Sequence, residues 1–203
     1  MVIDSFSSFW VLTELDRCES TQLLAIEFIR QGRYRQPFIF SCLQQSSGFG
    51  QRGNKWVHCG EALAISLAWE AQGFDVAPDD RWPSWVSLWV LQALNSYDGR
   101  LMEQVRLKWP NDLVARNKKL GGVLITQIVH QGRTFRIAGL GLNLVWTESK
   151  PHDLPAIDLK TLIGEPVDRV RLFHCIKQSL AKGVGMSRDE KALDLALESL
   201  RAI

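Results

Sequence analysis

The sequence predicts an α+β domain, with a mixed, largely antiparallel sheet flanked by helices. Two observations carry that expectation. Apolar residues recur at helical spacing near the start, in the middle and at the end of the chain. Between them lie short β-rich runs bounded by glycine, proline or asparagine. The 203 residues, 46% hydrophobic and 23% charged, match one soluble globular domain spanning 1–203.

The first helix is read in "STQLLAIEFIR": Leu23, Leu24, Ile26, Phe28 and Ile29 make a broad apolar face. Ser20 or Thr21 can cap the first turn and Gly32 can end it, so the helix is expected over about Thr21 to Arg30. "QPFIFSCLQ" behind Pro37 reads as a strand running straight into a glycine-rich loop. "EALAISLAW" fits a strand or a buried helix equally well, because a continuous apolar run has no period to read. "WPSWVSLWVLQALNSY" places Trp85, Leu88, Trp89, Gln92 and Ala93 at helical spacing after Pro83, a good helix start. On that spacing Trp82, Trp85 and Trp89 are core residues rather than a ligand box.

"VRLKWPNDLVARNKKLGGVLITQIV" gives a strand into Trp109, a turn at Pro110 to Asp112 and a short strand. A tight Asn117-Lys118 connection and a further strand from about Gly122 follow. "RTFRIAGLGLNLVW" is another strand, carrying a glycine pair. Beyond Pro155 two helices are expected, in "DRVRLFHCIKQSLAKGV" and "EKALDLALESLRAI".

Composition excludes several functions. Net charge is only +2 and the basic residues are scattered, so a mainly electrostatic DNA binder is disfavoured. Cys18, Cys42, Cys59 and Cys175 never form a CxxC-type pair, which fits reduced, buried thiols better than zinc or disulfides. The N-terminus carries Asp4, Glu14 and Asp16 and lacks a signal-peptide pattern, and no apolar run is long enough to span a membrane. A cytoplasmic enzyme or binding domain is expected.

Two segments carry chemistry. Gly48, Gly50 and Gly53 follow a predicted strand and allow backbone N–H groups to face an anion. A G-x-G-x-x-G run is weak by itself, and no helix clearly opens at its end, so a dinucleotide fold is disfavoured and a flexible hairpin loop remains open. In "KWPNDLVARNKKLGG" a turn between short strands can return Lys119 to the side where Asp112 points. A lysine beside a carboxylate suits adenylate chemistry, where the cation neutralises a carboxylate or phosphate and aspartate can hold Mg²⁺. A solvated hairpin with surface lysines is the bland alternative.

With these segments the sequence resembles biotin protein ligases. Four motifs match in order: "ESTQ" from Glu19, "QSSGFGQRGNKW" from Gln45, "KWPNDLVARNKKLGG" from Lys108 and "GLGLN" ending at Asn143. The resemblance implies a catalytic domain with the class II aminoacyl-tRNA synthetase-like fold of biotin and lipoate ligases. It implies that biotin's carboxylate attacks the α-phosphate of ATP, giving biotinyl-5'-AMP and pyrophosphate. A lysine of the biotin carboxyl carrier protein of acetyl-CoA carboxylase would then take the acyl group. Biotin, ATP and Mg²⁺ are the implied ligands and the carrier protein the implied partner; neither DNA nor a membrane is, and monomer and homodimer both stay open.

Carried over by motif, Ser20, Thr21, Gln45, Gly48, Phe49 and Gly121 would surround biotin, whose ureido group needs donors and acceptors. Lys119, Asp112 and Asn111 would be the catalytic set, with Asp112 on Mg²⁺. Gly50, Gln51, Arg52, Gly53, Trp56, Lys108 and Asn143 would serve ATP and the adenylate.

The resemblance is incomplete. The family's loop reads GRGRxGRxW, whereas Phe49, Gln51 and Asn54 stand where arginines are usual and Gln22 stands where asparagine is. Losing one guanidinium–phosphate contact costs about 1.5–3 kcal/mol, roughly tenfold to a hundredfold in adenylate retention, with Arg52 or Lys55 left to compensate. The motif at Glu19 leaves no room for an N-terminal DNA-binding domain, so repression is not expected, and the small C-terminal β-barrel of many relatives is expected to be absent. A non-catalytic or impaired biotin or adenylate binder and, less favoured, a lipoate-type ligase are the competing readings.

Overall fold

A computed structural model describes residues 10–56, 60–71, 81–146 and 155–186. Its strands are β1 (Val11–Cys18), β2 (Phe38–Gln45), β3 (Gly60–Glu70), β4 (Val105–Lys108), β5 (Asp112–Ala115), β6 (Lys118–His130) and β7 (Arg133–Trp146). The helices are α1 (Thr21–Arg30), α2 (Trp82–Tyr97), α3 (Leu101–Gln104), α4 (Leu159–Ile163) and α5 (Arg169–Met186). One sheet of seven strands runs in the order β1-β2-β3-β7-β6-β5-β4. Among these described strands only β1 and β2 pair in parallel, so the sheet is mixed and largely antiparallel, as expected.

The ambiguous "EALAISLAW" run is the central strand β3, buried on both faces, which is why it shows no alternation. The edge strand β1 was not anticipated. Its polar residues Thr13, Glu14, Asp16 and Arg17 and its mostly exposed burial pattern give no apolar period to detect. β6 starts at Lys118, four residues ahead of the expected Gly122, because Arg116 (φ 50) and Asn117 (φ 58) make a tight two-residue turn that re-enters the sheet at once. The expected helix in "EKALDLALESLRAI" lies outside the described residues.

The two faces of the central strands differ in side-chain size. On one, Leu63, Ile65, Leu67 and Trp69 of β3 and Leu140, Leu142 and Leu144 of β7 join Trp82, Trp85 and Trp89 of α2 and Leu172, Ile176 and Leu180 of α5 in the main core. The three tryptophans are thus core residues, and α5 closes on α2 where Gly183 meets Trp89. On the other face the same strands present Ala64, Ser66 and Ala68 opposite Gly141, Gly139 and Ile137. That row of small side chains cannot fill the space above the sheet, and α1 covers only part of it through Ala25 and Ile29. The vacancy is where the candidate site lies.

Cys42 is buried while Cys18 and Cys175 are half-buried, all as free thiols, and Cys59 lies outside the described residues. Burial, with help from neighbouring Cys42, pushes the Cys18 thiol up to about 12, which keeps it protonated and unreactive. Among the described residues no helix is long and apolar enough to cross a membrane.

At the far end of β3, Arg133 grips Glu70 through two hydrogen bonds of 2.8 and 2.5 Å. Those bonds hold the Glu70 carboxyl below its ordinary 4.5. A carboxylate whose folded pKa is depressed adds stability above its unfolded value and loses it as pH falls through the folded one. The thermal midpoint of Glu70→Gln is therefore expected to fall less steeply than wild type between about pH 5 and pH 3, by a small margin because the pair is half-exposed. Parallel pH profiles would remove the pair from the acid response.

Candidate active site

A cleft of ≈ 410 Å³ lies above the small-residue face, between the start of α1, the 48–56 segment and the β5–β6 corner. Its floor is a closed polar network. Thr21 donates to Gln45 Oε1 from its backbone N (2.7 Å) and its Oγ1 (3.1 Å). Gln45 thus satisfies an N–H at the start of α1 that the helix cannot, while buried Ser20 caps the same turn. Ser66 Oγ, with one proton to donate, sits 2.8 Å from Gln22 Oε1 and 2.9 Å from Thr21 Oγ1. Gln22 Nε2 donates to Thr126 Oγ1 (2.9 Å) and to the Ile137 carbonyl (3.1 Å). The Gln22 amide is thereby committed to the protein, whereas Gln45 keeps its amide N–H groups for a ligand.

Over this floor the glycine segment forms a β-hairpin. Phe49 bridges Lys55, Gly50 N donates to the Asn54 carbonyl at 2.7 Å, and Trp56 N to the Gly48 carbonyl at 2.9 Å. Gln51–Gly53 make a single 3-10 turn at the tip. The hairpin is anchored by Trp56, whose indole packs against Gly141; a Cβ there would come within 2.6 Å of the ring. Gly139 is constrained likewise, since its Cβ would meet Gln22 Oε1 at 2.6 Å.

At the other end, Lys119 Nζ donates to Asp112 Oδ1 at 2.6 Å. The bulge between Leu113 and Val114 in the β5–β6 pairing turns both side chains to one side. The Lys119 backbone is held as a parallel bridge: its N donates to the Pro155 carbonyl (2.7 Å), and its carbonyl accepts from Ile157 N (2.9 Å). Buried Asn143 ties the two together, donating to the carbonyls of Ile157 (3.1 Å) and Lys119 (3.3 Å). Asn111 clamps the turn onto β6, its side chain donating to the Val123 carbonyl at 2.7 Å and its own carbonyl accepting from Val123 N at 2.9 Å. Trp109, 78% exposed, stands at the rim.

Of the residues expected from sequence, Ser20, Thr21, Gln45, Phe49, Gly50, Gln51, Trp56, Asn111, Asp112 and Lys119 line one cleft. Gly48, Gly53, Lys108, Gly121 and Asn143 do not, and the Arg52 side chain lies outside what is described. Gly48 packs beneath the hairpin against Gln45 and Trp56. Arg52 and Gly53 belong to its tip, and Lys108 is exposed opposite Asp112 in the β4–β5 pair. Gly121 faces the helical side against Leu142, and Gly122 takes its place in the cleft, beside Asp112 and Lys119. Asn143 uses its amide on backbone carbonyls behind Lys119. Sequence reasoning missed Ser66, Gly122, Gly139 and Gly141 as cleft residues. The alternating small side chains along β3 and β7 were the available signal.

Comparison with known proteins accords with this geometry. The sequence profile of the Biotin/lipoate A/B protein ligase family matches residues 14–143. Biotin–protein ligase 2 of Arabidopsis thaliana is 33% identical over 104 residues, 49% of this chain and 31% of that protein. The chain spans under a third of the length of the curated relatives it matches first, 31% and 30%. Among solved structures, biotin acetyl coenzyme A carboxylase synthetase from Helicobacter pylori, with bound biotinylated ATP, superposes with a TM-score of 0.61 at 27% identity, covering 83% of this chain and 74% of that one. Biotin protein ligase from Leishmania major in complex with biotin shares the fold, with a TM-score of 0.76 at 18% identity over 95% of this chain and 80% of that one. The chain belongs to the biotin/lipoate A/B protein ligase family.

Proposed function

We propose that the chain joins biotin to ATP as biotinyl-5'-AMP, releasing pyrophosphate, and passes the acyl group to a lysine of the biotin carboxyl carrier protein of acetyl-CoA carboxylase. The observation that carries this reading is the position of the Lys119–Asp112 pair at one end of a cleft whose other end is a polar floor. A carboxylate and an α-phosphate repel each other as they approach. A lysine at their meeting point neutralises both, and the site's remaining task is orientation.

The floor favours biotin over lipoate. The ureido carbonyl can accept from the Gln45 amide N–H groups, which the protein does not use, and the ureido N–H groups can donate to spare hydroxyl lone pairs of Ser20 or Thr21. A dithiolane offers no strong acceptor and would leave the Gln45 amide unpaired. Trp56 and Phe49 on the hairpin supply apolar cover, excluding water from a reactive mixed anhydride. Among the described residues no cluster of three or more metal-ligating side chains exists. Mg²⁺ would arrive on the nucleotide phosphates, with Asp112 as its protein carboxylate, since Mg²⁺ is ordinarily held by one or two carboxylates, waters and substrate oxygens.

The test is pyrophosphate release by the purified chain with MgATP, with and without biotin and with lipoate in its place. Release that requires biotin is the expected result. Binding of biotin without any release would leave a non-catalytic binder, the reading favoured by Phe49, Gln51 and Asn54 standing in place of loop arginines.

A further inference from the structure

We propose that Lys55 supplies from the glycine hairpin the positive charge that receives the nucleotide's phosphates. The proposal rests on the biotin-adenylating reading above and names the hairpin cation on which it depends. Three observations converge on it.

The first is the charge inventory of the cleft. Among its described lining residues only Lys55, Asp112 and Lys119 are charged. Lys119 and Asp112 neutralise each other at 2.6 Å. Lys55 has no carboxylate partner among the described residues, so among them it carries the cleft's net positive charge.

The second is its placement. Lys55 is cross-strand neighbour to Phe49, and directly opposed residues project from the same face of a hairpin. Phe49 and Lys55 both line the cleft. The strand that carries Lys55 is fixed on either side, by the Gly50–Asn54 bond and by Trp56 on Gly141. The long side chain moves, but its root does not.

The third is the chemistry of the neighbours. Gln51 and Asn54 line the same cleft as neutral amides and Phe49 as an apolar ring. These hairpin groups can hydrogen-bond a phosphate or pack beside it, and none can neutralise it. A lysine ammonium binds phosphate as a point charge, with less geometric selectivity than a guanidinium fork. Its contribution therefore falls on nucleotide affinity and is sensitive to salt.

The experiment compares Lys55→Ala, Lys55→Glu and Lys55→Arg with wild type and with Lys160→Ala, an exposed lysine of α4 outside the cleft. Biotin-dependent pyrophosphate release is followed against MgATP at two salt concentrations, and biotin affinity is measured by calorimetry. Lys55→Ala is expected to raise the KM for MgATP about tenfold, Lys55→Glu further, and Lys55→Arg to restore it, with kcat and biotin affinity within about twofold of wild type. The KM gap between wild type and Lys55→Ala should narrow as salt rises. Introducing Asn54→Arg into the Lys55→Ala chain should recover part of the loss. If Lys55→Ala and Lys55→Glu match Lys160→Ala, the proposal is overturned and Lys55 is an ordinary solvated lysine. A wild-type chain that releases no pyrophosphate overturns the adenylation reading instead, and Lys55 falls with it.

Discussion

Lys119→Ala is expected to lower biotin-dependent pyrophosphate release by about 10² to 10³, the scale set by removing one preorganised charge from a reacting centre. The loss should appear in kcat, because the charge on Lys119 matters most as the carboxylate closes on the phosphate, when like charges are pushed together. Stability should change by no more than about 1 kcal/mol, since the Lys119–Asp112 pair is partly solvated, its side chains 43% and 27% exposed. That combination separates a chemical role from a structural one. Lys119→Arg keeps the charge but carries a wider planar head into a corner so close to Gly122 that a Cβ added there would lie 3.3 to 3.4 Å from the Lys119 side-chain end. It should recover less than a tenth of wild-type kcat. A Lys119→Ala chain within about threefold of wild type would falsify the assignment of this lysine to the chemistry.

The parts of the site that were legible in the sequence are those fixed by local geometry. The return of Lys119 to Asp112 needs only a two-residue turn and one bulge, all within a dozen residues of chain. The capping role of Ser20 and the end of α1 are likewise local. What could not be read depends on pairings between distant segments. Ser66 enters the cleft because its strand registers against Gly139, and neither residue announces a site in its own neighbourhood. Gly121 and Gly122 are adjacent and chemically identical. Only the pleat decides which one faces Asp112, and a single-residue shift reverses the answer. Gln22 was visible as an unusual residue, but its partners Thr126 and the Ile137 carbonyl come from strands far along the chain. The fold followed the same division: α1, α2 and the β5–β6 corner were anticipated, whereas β1 escaped notice because a polar edge strand has no apolar face to betray it.

Gly141→Ala tests whether the hairpin's position is set by the sheet beneath it. The added Cβ would lie 2.6 to 3.0 Å from three atoms of the Trp56 indole, a fused ring that cannot yield by turning one bond. Either the ring leaves its seat or the strands separate, so a destabilisation of about 1–3 kcal/mol is expected. Displacing the ring shifts the hairpin that carries Phe49, Gly50, Gln51 and Lys55 into the cleft. A displacement of about 1 Å at a positioning element can cost 10²-fold in rate, and a loss of that order is expected for pyrophosphate release. Gly99→Ala is the control, because a Cβ at Gly99 meets nothing within 4 Å. Trp56→Ala separates the two possible causes. It removes the indole that the new methyl would strike, so in the double variant the clash is gone and only the lost cover remains. The stability losses of Gly141→Ala and Trp56→Ala should therefore sum to at least about 1 kcal/mol more than the loss in the double variant. Additive losses would mean that the hairpin does not rest on Gly141. The glycine would then owe its place to the strand pairing alone, and the small-residue floor would be a consequence of the fold rather than the device that positions the hairpin over the cleft.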